Sequence, residues 1–420
     1  MGLNIGICGT GSFAPCFIPL IKYHPLVDKV VLCDLNAEKL RRASEEFAIP
    51  DTCPSLDLLV QEDLDAITLF TQNDRHAPQA VQALRAGKHV YSAVPSAISM
   101  AEITELVRAV EETGLIYMIG ETSYYYPCAV YCRERFRKGD FGYIVYGEGE
   151  YFHDYSHGME QVARTRFGDE WMRHVTMPPF FYPTHSVSMI VSVIGARAVQ
   201  VSGMGVKHRY GLGETNFTKV PDRIYRNDFE NEIMLCRMSD GSVARFIEGR
   251  RIGYYSRPGM VGMSLYGSEG SFEQQIAPPV PEKGQSYTHH CTWTGKTAES
   301  VEDVTELLNC STDRRDTTAL ARAKAAGLGS EAFTYSAPVH AMHRLPREYA
   351  GLGNGHEGSH QFLIHDFVTA CADRVHPPNN VWQAARYLIP GLIAHESAMQ
   401  DGVLLDVPDF GDGPEIKCCY

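Results

Sequence analysis

From residue 3 to about residue 120 the chain alternates short apolar runs with amphipathic helical segments. "NIGIC" precedes a helix through "FIPLIKY", "KVVLCD" precedes "AEKLRRASEEF", "AITLFT" precedes "APQAVQALRAG", "HVYSAV" precedes "MAEITELVRAVEETG", and "IYMIG" closes the series. Successive apolar strands separated by helices pair in parallel, because the helix carries the chain back to the end of the sheet where it started. The alternation therefore predicts an α/β fold with a doubly wound parallel sheet.

After Glu121 the texture changes. A helix around "PCAVYCRERFRKG" leads into the strand-like "YIVYGEGEYFHD", and "EIMLCRMSDGSVARFIEGRR" and "GMSLYGSEGSFEQ" each break at a turn, Ser-Asp-Gly and Gly-Ser-Glu-Gly. These hairpin signals predict an antiparallel sheet. Residues 276–355, with Pro pairs, a His pair and a weak helix at "TALARAKAAG", read as an excursion near the site or at a subunit contact. "HQFLIHDFVTACADR" and "VWQAARYLIPGLIAHESAMQ" read as amphipathic helices. A chain of 420 residues exceeds one ordinary core, and the change of texture divides it into domains at 1–122 and 123–420.

Charge narrows the partners. A net charge of −13 with no long Lys/Arg run argues against nucleic acid or an anionic membrane surface, and a small neutral ligand is easier to accommodate. No stretch approaches the roughly 18 uninterrupted apolar residues of a membrane span, and "LNIGIC" follows Met1 directly; the expected location is cytoplasmic. Twelve cysteines without a C-x-x-C, among them Cys128 and Cys132 one helical turn apart, fit reduced core thiols better than a metal site or a disulfide framework.

"IGICGTGSFA" places Gly9-x-Gly11-x-x-Ala14, with Ser12 and Phe13 inside it, between an apolar strand and a helix. Glycines there allow a tight turn and let the backbone approach a pyrophosphate seated on the helix N-terminus. Asp34 ends the second strand about twenty residues on, where a carboxylate accepts hydrogen bonds from ribose hydroxyls and repels a 2′-phosphate. Together they predict NAD rather than NADP. The competing reading is a glycine turn of another α/β fold, with Asp34 as a solvated cap.

"FTQNDRHAPQAVQALRAGKHVYSAVP" carries Thr71, Asn73 and His76, then Gly87, Lys88, His89, Val90 and Pro95. In order and spacing this resembles the Gfo/Idh/MocA oxidoreductase family, as do "GYIVYGEGEY", "YGSEGSFE" and "AHESAMQDG". The resemblance implies a Rossmann domain followed by an α/β domain on an open, mainly antiparallel sheet often used for dimerisation, and hence a homodimer or homotetramer. It also implies that Thr71, Asn73, His76, Val94 and Pro95 line the cofactor. In the family a Glu-Lys-Pro stands where this chain has Ala93, Val94 and Pro95. That lysine donates to the reacting hydroxyl and assists its deprotonation, which valine cannot do.

The second domain resembles one branch of the family, the NAD-dependent glycoside hydrolases exemplified by the α-N-acetylgalactosaminidases, which also dispense with the lysine. "YGEGEYFHDYSH" matches the branch's Tyr-x-His at Tyr151 and His153, and "FFYPTHS" its Tyr-Pro-Thr-His at Tyr182 and His185. Glu121 and Tyr125 match a Glu-x-x-x-Tyr, and "GNGHEGSHQF" a glycine-rich segment around His356. The resemblance implies Tyr151, His153, Tyr182 and His185 as catalytic and Glu121, Tyr125 and His356 as binding a glycoside substrate. In those hydrolases NAD oxidises carbon 3 of the sugar, the ketone acidifies carbon 2, the aglycone is eliminated, water adds and the hydride returns. Tyr182 or Tyr151 is then the base at carbon 2, with His153 and His185 polarising the ketone or handling the leaving-group proton.

The residues are compatible with this on physical grounds. Tyr151 and His153, two apart on a strand, share a face. Pro183 suits a first helical position, and Val187, Ile190, Val191 and Ile194 make an apolar stripe that Gly195 ends, so Tyr182 and His185 fall near that helix's start. Taken singly, each histidine is as well explained as an ordinary sheet or cap residue. Two other functions compete: an NAD-dependent sugar dehydrogenase with His185 in place of the lysine, and a catalytically silent NAD-binding regulator.

Overall fold

The strand–helix alternation closes into a six-stranded parallel sheet in a computed structural model, which describes residues 2–153, 164, 167–168, 171, 177–207, 225–250, 260–276, 287–294, 299–310 and 336–414. This sheet belongs to the first of two compact units, Met1–Val130 with Leu307–Ala385 and Phe410–Tyr420; the second is Tyr131–Glu306 with Arg386–Asp409.

In the first unit β1 (Leu3–Cys8), β2 (Val27–Cys33), β3 (Thr52–Cys53), β4 (Ala66–Leu69), β5 (His89–Ser92) and β6 (Tyr117–Ile119) run in the order β3-β2-β1-β4-β5-β6. The order reverses between β1 and β4, the crevice where doubly wound sheets take their ligands. Ile5, Ile7, Ile67, Leu69 and Val90 are buried, as strands covered on both faces require. Local chemistry sets the helix ends. Asn36 caps Ala37–Phe47 through the Lys39 amide, and Ser99 caps Met100–Thr113 through the Glu102 amide while Glu102 accepts from the Ile98 N–H. β3 and the short helix Leu56–Leu59 are too brief to leave a periodic signal in the sequence. The helix His360–Asp373 adds Phe362, Leu363, Ile364 and Phe367 to the core formed with Phe17, Ile18, Ile21 and Tyr91.

The second unit is built on β7 (Ile144–Phe152), β8 (Ala198–Lys207), β9 (Phe229–Met238), β10 (Val243–Gly249), β11 (Val261–Gly267), β12 (Gly270–Ile276), β13 (Tyr287–Thr294), β14 (Glu299–Asp303) and β15 (Leu405–Asp406). Their order is β14-β13-β12-β11-β7-β10-β9-β8-β15, antiparallel throughout the described residues except for the β7–β10 pair. Residues 276–355 are thus not one excursion. β13 and β14 extend the sheet; β13 carries a Thr/Tyr/Trp-rich strand signal that a search for apolar runs passes over, whereas β14 is too short and acidic to give one. Residues 336–355 lie in the first unit. The expected helix at "TALARAKAAG" falls outside the described residues.

One face of this sheet is covered by the helix Thr184–Ile194, and glycines let it approach. A Cβ on Gly149 of β7 would lie 2.1 Å from the Ser186 carbonyl oxygen, and one on Gly147 would lie 3.2 Å from Ile190. Val187, Ile190, Val191 and Ile194 are buried as the stripe predicts, and Gly195 closes the helix with φ +73°. Pro183 takes the cap position, one residue earlier than expected, where its fixed φ still suits helix entry. The opposite face carries the stacked Tyr146 and Tyr266, Arg245 paired with Glu148 and Glu150, and the exposed Leu235 and Met204. No helix among the described residues is long and apolar enough to cross a membrane.

Replacing Gly149 with Ala should lower stability by about 1–3 kcal/mol through overpacking of helix on strand. Urea denaturation measures it, and an unchanged midpoint would mean that the close approach does not exist in solution.

Candidate active site

In the first unit Gly9 turns the chain at the end of β1 with φ +91°, and a Cβ there would lie 2.7 Å from the Phe70 carbonyl oxygen. A Cβ on Gly11 would have no atom within 4 Å, and Ser12 beside it is exposed. The turn thus leaves room for a ligand against its backbone at the β1/β4 switch point. Asp34, immediately after β2, is held firmly in place. Its Oδ2 accepts from the Thr10 N–H at 2.8 Å and the Thr10 hydroxyl at 3.0 Å, and its Oδ1 from the Asn36 N–H at 2.8 Å. Open backbone and an aligned carboxylate fit a dinucleotide with free ribose hydroxyls.

The loops after β4 and β5 are braced by His76, whose Nδ1 lies 2.8 Å from the Pro95 carbonyl oxygen and Nε2 3.1 Å from that of Thr71. Burial pushes its imidazole below the ordinary histidine range, against the pull of those carbonyls. Thr71 also donates to Gln79, Asn73 opens the short turn before His76, and Ala93 and Val94 are buried. Phe13 packs edge-on against both His356 and His360, whose Nδ1 and Nε2 are 2.8 Å apart. His356 holds a left-handed backbone, φ +49°, so the glycine-rich segment around it meets the first glycine turn through Phe13. Glu121 is buried and accepts from the Ser123 N–H and hydroxyl. The Tyr125 hydroxyl donates to Asp366, which Arg344 also contacts at 2.7 Å; burial, then the Asp366 charge, pushes that phenol well above its ordinary value.

In the second unit the four remaining candidates converge. The Tyr151 ring lies 4.6 Å from His185, 6.4 Å from Tyr182 and 5.8 Å from His153, and its hydroxyl is 3.1 Å from His153 Nδ1. Tyr182 and His185 are 5.3 Å apart, the first entering and the second inside the first turn of the helix Thr184–Ile194. Two phenols and two imidazoles, all able to donate and accept hydrogen bonds, thus share one cluster.

The sequence reading missed the residues that support them. Glu248 on β10 is register partner to Tyr151 and fully buried; it accepts from the Ser186 hydroxyl at 2.6 Å and from Arg250 at 3.1 Å. The Arg250 guanidinium sits 5.0 Å from the Tyr151 ring centre and 5.1 Å from that of Tyr182. The two-residue spacing of Glu248 and Arg250 in "FIEGR" is visible in the sequence, but it becomes informative only with the β7–β10 register. Farther along, the turn ahead of Tyr182 is pinned by the Phe180 N–H donating to Glu232, which pairs at 2.7 Å with His395. Burial opposes the His395 charge, but Glu232 and the Arg226 carbonyl outweigh it and hold the imidazole above its ordinary value.

A parallel sheet in this order, with its glycine turn and terminal carboxylate, defines a dinucleotide-binding α/β fold. Residues 3–121, the first unit's parallel sheet with its helices, match the Gfo/Idh/MocA family model, described as "Oxidoreductase family, NAD-binding Rossmann fold". Among curated relatives, a "Glycosyl hydrolase family 109 protein" of Saccharopolyspora erythraea is 26% identical over 218 residues, 48% of this chain and 47% of that protein. A "4-carboxy-2-hydroxymuconate-6-semialdehyde dehydrogenase" of Sphingobium is 28% identical over 139 residues, 33% of this chain and 44% of that one. The chain thus spans about half the length of the curated relatives it matches. A solved structure titled "Levoglucosan dehydrogenase, complex with NADH and levoglucosan" shares the fold at a TM-score of 0.69 and 18% identity, covering 97% of this chain and all of that one.

Because its folded value is raised, His395 contributes stability below the free histidine value of about 6.5 and loses it as pH rises through the folded value. The stability difference between wild type and His395→Gln in urea should therefore be largest in mild acid and shrink above neutrality. A difference that stays constant with pH would remove the charged pair.

Proposed function

We propose that this chain is an NAD-dependent glycosidase that opens the glycosidic bond by elimination and water addition, with no net oxidation. The observation that carries the reading is the cluster of Tyr151, His153, Tyr182 and His185, proton-transfer groups gathered in a chain that has Val94 where the resembled oxidoreductases carry a lysine and the glycoside-hydrolase branch does not. Relatives named as glycosyl hydrolases of family 109 support the choice of reaction.

When bound, NAD supplies a hydride acceptor that returns what it takes. The first unit would hold it: Gly9 and Gly11 would leave room for the pyrophosphate, Asp34 would take the ribose hydroxyls, and Ser12, Phe13, Thr71, Asn73, His76, Val94 and Pro95 would form the loops around it. The second unit moves protons. A hydrogen on sugar carbon 2 is acidic beside a carbonyl at carbon 3, and Tyr182 or Tyr151 removes it. His153 and His185 hydrogen-bond the carbonyl oxygen or protonate the departing aglycone. Glu121, Tyr125 and His356 are proposed to bind the glycoside.

The second reading, an NAD-dependent sugar dehydrogenase, is favoured by the likeness to the levoglucosan enzyme and the semialdehyde dehydrogenase relative. Free cysteines, buried in most cases, agree with a cytoplasmic enzyme. Leu235 and Met204 on the open sheet face agree with a homodimer or homotetramer.

Tyr182→Phe and His185→Ala should each depress turnover about 10²–10⁴-fold while NAD binding is unchanged. Wild-type cleavage of an aryl glycoside in heavy water should place one deuterium at carbon 2 with no NADH accumulating; NADH rising in step with product, with carbon 2 unlabelled, would make the enzyme a dehydrogenase. Light scattering should show a dimer or tetramer at micromolar concentration, and a monomer would overturn the assembly.

A further inference from the structure

We propose that Arg250 is a positioning residue that makes the Tyr151 phenol easier to ionise, with the displaced proton passing to His153, so that a larger fraction of phenolate is available as base. The inference rests on the glycosidase reading only for the use made of that phenolate.

A tyrosine base has a difficulty at neutral pH. A free phenol ionises near 10, so only about one molecule in a thousand would carry the active form. The groups around Tyr151 bear on this. Arg250 follows β10 directly and is fixed by its own N–H, which donates to Asn231 at 2.8 Å, and by its guanidinium, which contacts Glu248 and lies 3.4 Å from the Tyr182 carbonyl oxygen. So held, the cation sits 5.0 Å from the Tyr151 ring centre and 5.1 Å from that of Tyr182. A cation facing an aromatic ring is attracted more strongly as the ring becomes negative, and a full charge at this range shifts an ionisation by on the order of one to two units.

Other charges act on the same phenol. From β7, His153 offers Nδ1 at 3.1 Å from the hydroxyl, so the O–H bond that breaks becomes an N–H bond on the imidazole and the pair stays neutral overall. From the helix Thr184–Ile194, His185 lies edge-on at 4.6 Å. From β10, Glu248 opposes ionisation, but its oxygens accept from Ser186 and Arg250, which draws its charge toward them. From β9, Glu232 stands one strand farther and is matched by His395. Among the described residues Arg250 is thus a cation placed directly on the ring, and Glu248 sets how much of its charge the ring receives.

A structural brace and an electrostatic one differ in sign. If Arg250 only packs, Arg250→Met and Glu248→Gln both loosen the cluster. If it acts by charge, the first removes the cation and the second removes the anion that offsets it, so the two move the phenol in opposite directions. The test is tyrosinate absorbance against pH on the NAD-loaded full chain, taken as the difference between each protein and its Tyr151→Phe counterpart, with the acid limb of kcat/KM on an aryl glycoside in parallel.

Wild type should show one phenol ionising at least about one unit below free tyrosine. Arg250→Met should raise that midpoint by about one unit or more, Arg250→Lys should restore most of it, and Glu248→Gln should lower it, with the acid limb following each time. An early-ionising phenol that survives Tyr151→Phe, or a midpoint unmoved by Arg250→Met, overturns the proposal. Where Arg250→Met fails to fold by circular dichroism, Glu248→Gln decides, and a midpoint that stays or rises overturns it. Midpoints that shift as described in a protein that cleaves no glycoside leave Arg250 in this role and refute the glycosidase reading; cleavage with unshifted midpoints does the reverse.

Discussion

The candidate site depends on a helix lying against bare backbone. Gly149 has no side chain to separate β7 from the Ser186 carbonyl, and a methyl group at that point would overlap it. Two residues along β7 stands Tyr151, and one residue before Ser186 stands His185, so the distance between those two rings follows from the contact. The Ser186 hydroxyl, donating to Glu248, ties the same turn of helix to the next strand. Close packing turns this into rigidity, because a core without voids transmits any shift of the helix to the side chains at its end.

Much of this was legible in the sequence, and the reason differs by part. The first unit announces itself through a change of hydrophobic period, since strands buried on both faces read as short apolar blocks between helices. The glycine turn and Asp34 are local in sequence and therefore recognisable. The Tyr and His candidates were named through the resemblance, whose two short motifs each lie within four residues, Tyr151 with His153 and Tyr182 with His185. Glu248 and Arg250 could not. They reach Tyr151 through a parallel pairing of strands almost a hundred residues apart, and sequence spacing carries no information about such a register. β13 and β14 escaped for other reasons: β13 is built from polar and aromatic residues rather than aliphatic ones, and β14 is five mostly acidic residues around Val301.

The altered Ala93-Val94-Pro95 segment is well supported despite its lost side chains. His76 spans the loops after β4 and β5 with both ring nitrogens on backbone carbonyls, so their geometry does not rely on the residue at position 94. A buried valine there removes a proton carrier without disturbing the frame around it.

Glu232 and Glu248 are register partners on neighbouring strands, both fully buried, and each has its own cation, His395 for one and Arg250 for the other. Like charges directly opposite on a sheet repel, so each cation also relieves the strand next to its own. Change at one of the two positions alters what is tolerated at the other, although they lie far apart in the chain and touch different residues. The effects of substitutions at residues 395 and 250 on stability will therefore not add.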